Sequence, residues 1–121
     1  MKRYPNLPVM RLCVEGKATD VRVYDARNFL ARLFGLLGRR PLAMGEALWL
    51  EPCSSVHTLG MRYPIDVVFL DGAGRVLARR DALAPQRMAV TRRASCALEL
   101  PQHSAGQLGI APGKQVSMEA M

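Results

Sequence analysis

A thiol, an imidazole and a carboxylate, Cys53, His57 and Asp66, fall within one stretch, Cys53-Ser54-Ser55-Val56-His57-Thr58-Leu59-Gly60-Met61-Arg62-Tyr63-Pro64-Ile65-Asp66. These types could act as nucleophile, base and orienting acid, or as metal ligands. Cys53, His57, Cys96 and His103 are all chemically competent to bind zinc. Spacing tests that idea. Four residues of extended strand cover about 13 Å at ~3.3 Å each. Two ligands of one zinc must lie within about 4 Å, because each sits ~2.0–2.3 Å from the metal. Chelation by Cys53 and His57 therefore requires a turn at Ser54-Ser55, which Pro52 permits but does not impose. A hydrolytic set of Ser54 or Ser55 with His57 and Asp66 has the residue types of a triad. It has no G-x-S-x-G elbow, and a serine so close to its base in one strand is badly placed. Cys53 or Cys96 with His57 would form a cysteine–histidine pair.

Asp66 stands inside an apolar run. Ile65, Val67 and Phe69 share one strand face, and Asp66, Val68 and Leu70 share the other. Apolar residues on both faces predict a central strand. Asp66 then faces the interior or the floor of a cleft, and a buried carboxylate requires a partner. Arg62, His57 and an arginine from the helix region are the candidates. A structural anchor is the expected role, and a ligand-binding carboxylate the alternative. Trp49, between Leu48 and Leu50, reads as core, while Met44, Met61 and Met88 could line a soft pocket.

The elements that must position these residues are mostly short strands. Residues 7–14 and 20–25 read as two strands joined at Glu15-Gly16-Lys17. Asp25 is a good N-cap for a helix over residues 26–37, where Phe29, Leu30, Leu33, Phe34 and Leu37 recur at helical spacing. Gly38 and Pro41 would end it. Further strands are expected at Ala47–Leu50, Val56–Met61, Ile65–Leu70, Arg75–Arg80, 93–100 and Gln115–Met118. Asp71-Gly72-Ala73-Gly74 is a hairpin turn, Ala82–Ala89 is irregular, and a short helix covers 101–108 with Gly109 at its end.

Composition narrows the classes. The chain has 121 residues, 50% hydrophobic and 22% charged, as expected of one globular domain over residues 1–121. The net charge of +7 invites a polyanionic partner. Only 6% of residues are aromatic, too few for a base-stacking surface, and Arg39-Arg40, Arg79-Arg80 and Arg92-Arg93 are scattered pairs. Nucleic-acid binding is therefore not the expectation. Three cysteines without a CxxC argue against a disulfide framework. Pro5, Asn6, Pro8 and Arg11 interrupt any signal-peptide core, and no apolar run is long enough to span a membrane, so a cytoplasmic location is expected.

Several motifs now combine. Arg32-Leu33-Phe34-Gly35-Leu36-Leu37-Gly38-Arg39, Gly45-Glu46-Ala47-Leu48-Trp49-Leu50, the run Val56 to Asp71, Leu98-Glu99-Leu100-Pro101, and Gly109-Ile110 followed by Gly113 stand in order along the chain. Together they resemble a widespread prokaryotic family of unknown function, number 192 among such domains, over roughly residues 20–118. Leu37 replaces a usual methionine, and Ala47 a common glycine. The resemblance implies a compact, mainly β domain with one helix near its start. It implies no established activity, substrate or cofactor.

The expected fold is mainly β (α+β): a compact antiparallel β-sandwich or barrel-like domain with helices near 26–37 and 101–108. The expected function is that of a non-catalytic binding or accessory domain without a cofactor, taking a small ligand or a protein partner. His57, Met61, Asp66 and Trp49 would line its cleft, with Arg39 at the rim. A small metal- or thiol-dependent enzyme using Cys53 and His57 is the second reading. Weak nucleic-acid association through arginines is the third.

Overall fold

The computed structural model describes residues 7–27 and 42–121. Nine strands and one helix appear among them: β1 (Val9–Val14), β2 (Lys17–Arg27), β3 (Glu46–Glu51), β4 (Ser55–His57), β5 (Ile65–Leu70), β6 (Val76–Leu83), β7 (Met88–Val90), β8 (Cys96–Pro101), α1 (Ser104–Gln107) and β9 (Val116–Ala120). Seven strands form one sheet in the order β6-β5-β8-β3-β2-β1-β9, and β4 and β7 make a separate ribbon.

The alternating sequence pattern explains the layers. Every residue of β5 is buried, as its doubly apolar sequence predicts. Val68 and Leu70 join Trp49, Leu98, Leu100, Val23, Leu12 and Ile110 in one core, against which α1 packs through Ala105. Ile65, Val67 and Phe69 face the opposite way, toward Val56, Met61 and Ala89. Farther along this second face, Tyr24, Ala26, Leu48 and Leu50 form another cluster. Cys53 packs against both clusters of the second face.

Local turns set the register. Glu15 (φ 52) and Gly16 (φ 77) link β1 and β2 as a two-residue loop, the left-handed pair that matches the twist of a hairpin. In the β5–β6 turn, the Asp71 carboxylate accepts from the Ala73 and Arg75 amides, each at 2.9 Å. Gly74 there has φ +84, and an added Cβ would lie 2.6 Å from the Val116 carbonyl. The close approach exists because the two edge strands meet at this end. Arg75 bridges Gln115, and the Val116 amide donates to the Gly74 carbonyl at 2.8 Å. The sheet curls enough to bring its edges together at one end and does not close into a barrel.

Three expectations change. First, β2 runs through Arg27, where Ala26 pairs with Leu50 and Arg27 with Glu51. Asp25 is thus a strand residue; it accepts from the Arg27 amide and guanidinium. The remainder of the expected 26–37 helix lies outside the described residues. Second, the sheet is not wholly antiparallel: β2 and β3 are parallel, as the long connection through residues 28–45 allows. Third, the segment read as irregular holds the end of β6 and the first two residues of β7. The late helix is confined to Ser104–Gln107, and Pro101 belongs to β8.

Candidate functional site

Asp66 is sealed in the interior with no exposed surface. It lies on β5 opposite Leu100 of β8, on the face that carries α1. Its Oδ1 accepts the Ala82 amide at 2.8 Å and its Oδ2 the Ala105 amide at 2.9 Å. The first bond falls where the β5–β6 register shifts, and Ala82 has φ 47 there. The second satisfies an amide in the first turn of α1, whose own N-cap, His103, makes no side-chain cap. Asp66 thus fixes a bulge and a helix start together. Its partners are backbone amides rather than the arginine or histidine expected.

Of the remaining expected residues, Met61, His57 and Trp49 are among those described. Met61 is buried among Val56, Ile65, Val67 and Phe69 on the opposite face of the sheet. His57 is half-buried at the end of β4, opposite Met88 of the ribbon. Arg39 lies outside the described residues. Trp49 belongs to the core on the α1 side, and its Nε1–H donates to Glu51 Oε1 at 2.9 Å.

Trp49 forms part of the wall of a cavity of about 290 Å³ near the meeting of the sheet edges. Arg27, Glu51, Gly74, Gln115 and Met118 also line it. Arg27 and Glu51 are register partners on the parallel strands, which places opposite charges side by side. The Arg27 guanidinium is anchored by Asp25, with Nη2 at 2.7 Å from Oδ2. The Asp25 carboxylate, and less strongly Glu51, raise the pKa of Arg27.

The cysteines are poorly suited to nucleophilic work. Cys53 is half-buried, and its thiol donates to the Ser55 carbonyl at 3.1 Å. Burial pushes this thiol up, a backbone hydrogen bond at Ser55 opposes that rise, and the Glu99 carboxylate adds to it. Burial, followed by the nearby Glu51, Cys53 and Asp71, raises the Cys96 thiol to about 12. Neither is a ready thiolate near neutral pH. Cys96 packs in the α1-side core and Cys53 on the opposite face, so the cysteines considered as ligands are divided by the sheet. Among the described residues, no three His, Cys, Asp or Glu side chains are grouped to hold a metal.

Glu99 is the functional-group surprise. It sits in β8 between Leu48 of β3 and Val67 of β5, only 2% exposed. Its Oε2 has no hydrogen-bond partner among the described residues. Burial alone raises its carboxyl to about 7. Alternation along a strand over 93–100 puts Glu99 on the face opposite Leu98 and Leu100 but does not mark that face as covered. The signal was available in β5: a strand apolar on both faces implies that its neighbour is covered on both faces too.

Known proteins share this architecture. The family profile described as DUF192, "Uncharacterized ACR", matches residues 10–118. A Pyrococcus furiosus protein, "UPF0127 protein PF1050", is 32% identical over 111 residues, covering 88% of this chain and 95% of that protein. A crystal structure from Sinorhizobium meliloti 1021, described as a "putative transcription regulator", superposes with TM-score 0.77 at 20% identity, covering 93% of this chain and 95% of that one. A Novosphingobium aromaticivorans DSM 12444 protein of unknown function gives TM-score 0.75 at 22% identity, covering 90% of this chain and 84% of that one. At these identities the two structures establish a shared fold. The profile match and the Pyrococcus relative establish more: the chain belongs to the DUF192 family of uncharacterized proteins.

Proposed function

We propose that this protein is a non-catalytic binding domain whose ligand occupies the cavity beside Trp49. The observation that carries the proposal is the pairing of Arg27 and Glu51 on adjacent strands at that cavity, with the indole as its wall. A guanidinium and a carboxylate held side by side suit a small zwitterion. The ligand's carboxylate would meet Arg27 and its ammonium would meet Glu51. A volume of about 290 Å³ lies at the lower end of ligand pockets and suits a molecule of amino-acid size. The raised thiols of Cys53 and Cys96 favour this reading over a thiol enzyme.

Trp49 is the chain's sole tryptophan, so its fluorescence reports directly on the cavity. The twenty free amino acids, tested singly, should include at least one that shifts Trp49 emission saturably and raises the melting temperature. Glu51→Gln retains an acceptor for the indole N–H and should weaken that binding at least tenfold. No shift with any amino acid, or a shift indifferent to Glu51→Gln, would overturn the zwitterion site.

A further inference from the structure

The β4–β7 ribbon presents a surface separate from the cavity. Val56 and Ala89 are cross-strand partners and both point into the second core. Their neighbours Met88 and Val90 on β7 and Ser55 on β4 therefore point outward, while His57, opposite Met88, is half-buried. Met88 is 65% exposed and Val90 51%. Leu59, 58% exposed, joins them from the turn after β4. That turn is firmly built. Gly60 takes φ +82, the Met61 amide donates to the Thr58 carbonyl, and the buried Thr58 hydroxyl donates to Ala84 while accepting the Arg87 amide at 2.8 Å.

Charge surrounds these apolar tips in one sign only. Arg62 and Arg87 lie toward the Leu59 end of the ribbon. Arg92 and Arg93 occupy the turn at its other end, where the Thr91 amide donates to the Ser54 carbonyl and the Ala94 amide to the Thr91 carbonyl. All four arginines are exposed, and none has an acidic partner among the described residues. Residues 53–64 and 84–95, which build the ribbon and its turns, contain no Asp or Glu. These four arginines thus flank three of the exposed apolar side chains, Leu59, Met88 and Val90.

We propose that the outer face of the β4–β7 ribbon docks on an anionic lipid surface. Leu59, Met88 and Val90 enter the headgroup boundary, and the four arginines meet lipid phosphates. Apolar tips with a basic rim fit an interface that is anionic outside and apolar beneath. A nucleic acid would use the arginines but gain nothing from the aliphatic tips. None of the exposed large hydrophobic residues among those described is aromatic, so base stacking has no platform here.

Co-sedimentation with phosphatidylcholine vesicles, with and without about one third phosphatidylglycerol, tests the proposal. The full chain should bind only the anionic vesicles, and added salt should weaken binding. Arg92→Gln with Arg93→Gln should lower partitioning about 25-fold, since each basic residue near such a surface contributes about fivefold. Met88→Ser with Val90→Ser should also release the protein. These side chains are exposed, and an unchanged melting temperature confirms that the variants fold. Absence of vesicle binding at low salt, or binding indifferent to both double variants, overturns the proposal. Stronger capture by duplex DNA or by polyglutamate than by anionic vesicles overturns it in favour of a nucleic-acid or acidic protein partner.

Discussion

Replacing Glu99 with glutamine removes an ionisation that the fold opposes. In the unfolded chain a glutamate loses its proton near 4.5; in the fold, burial holds the proton to about 7. At 1.36 kcal/mol per pH unit, that interval corresponds to about 3 kcal/mol. Between the two values the folded state binds more protons than the unfolded state, so stability falls as pH rises. The loss is complete above about pH 7 and absent below about 4.5. Glu99→Gln has the same shape and no charge to desolvate. Urea unfolding of both proteins from pH 4 to 8 gives the test, because other titrating groups cancel in the difference. Wild-type stability relative to the variant should drop by about 3 kcal/mol across the range, a midpoint change of about 1–3 M urea. A difference that stays flat, or that rises with pH, would refute the assignment of Glu99 as a buried carboxyl opposed only by desolvation.

Other perturbations follow from the same geometry. Asp66→Asn keeps the volume but turns an NH₂ toward one of two backbone donors, and should cost about 2–3 kcal/mol in thermal or urea unfolding. Gly74→Ala combines a left-handed φ with a clash at the Val116 carbonyl, and should cost about 2–3 kcal/mol. Hydrogen exchange at the Val116 amide should accelerate more in that variant than exchange in β8. A thiol reagent at pH 7 should modify half-buried Cys53 more slowly than free cysteine, and Cys96 only as the protein unfolds.

The sequence was most informative where burial is two-sided. The run Ile65–Leu70 announced a central strand, and the same pattern correctly placed Asp66 indoors. The partners of Asp66 were not legible, because they are amides of Ala82 and Ala105, and a backbone donor carries no residue signature. Asp25 misled for a related reason. An Asp can satisfy a helix start or a nearby arginine equally well, and pairing of β2 with β3 decides the matter through contacts distant in sequence. The cavity was hidden similarly. Trp49 read as core, which it is, yet apart from Glu51 on its own strand its neighbours at the cavity come from β2, the β5–β6 turn and the segment of Gln115 and β9. His57, Met61 and Asp66 are near in the chain, but the loop after β4 folds Met61 onto the second face of the sheet while Asp66, inside β5, faces α1.

The position of β9 bears on how the chain acquires this structure. β9 is synthesised after all the other described strands, yet it pairs with β1, from Met10 opposite Ala120 to Val14 opposite Val116. The Gln115 amide also donates to the Glu15 carboxylate across 100 residues of sequence. Until β9 leaves the ribosome, the outer edge of β1 presents unpaired backbone donors and acceptors. A contact of such long range is slow to form. Nascent or truncated chains lacking residues 116–120 therefore carry an open edge able to recruit strands from other molecules, so that late translation arrest would produce aggregates rather than a merely weakened monomer.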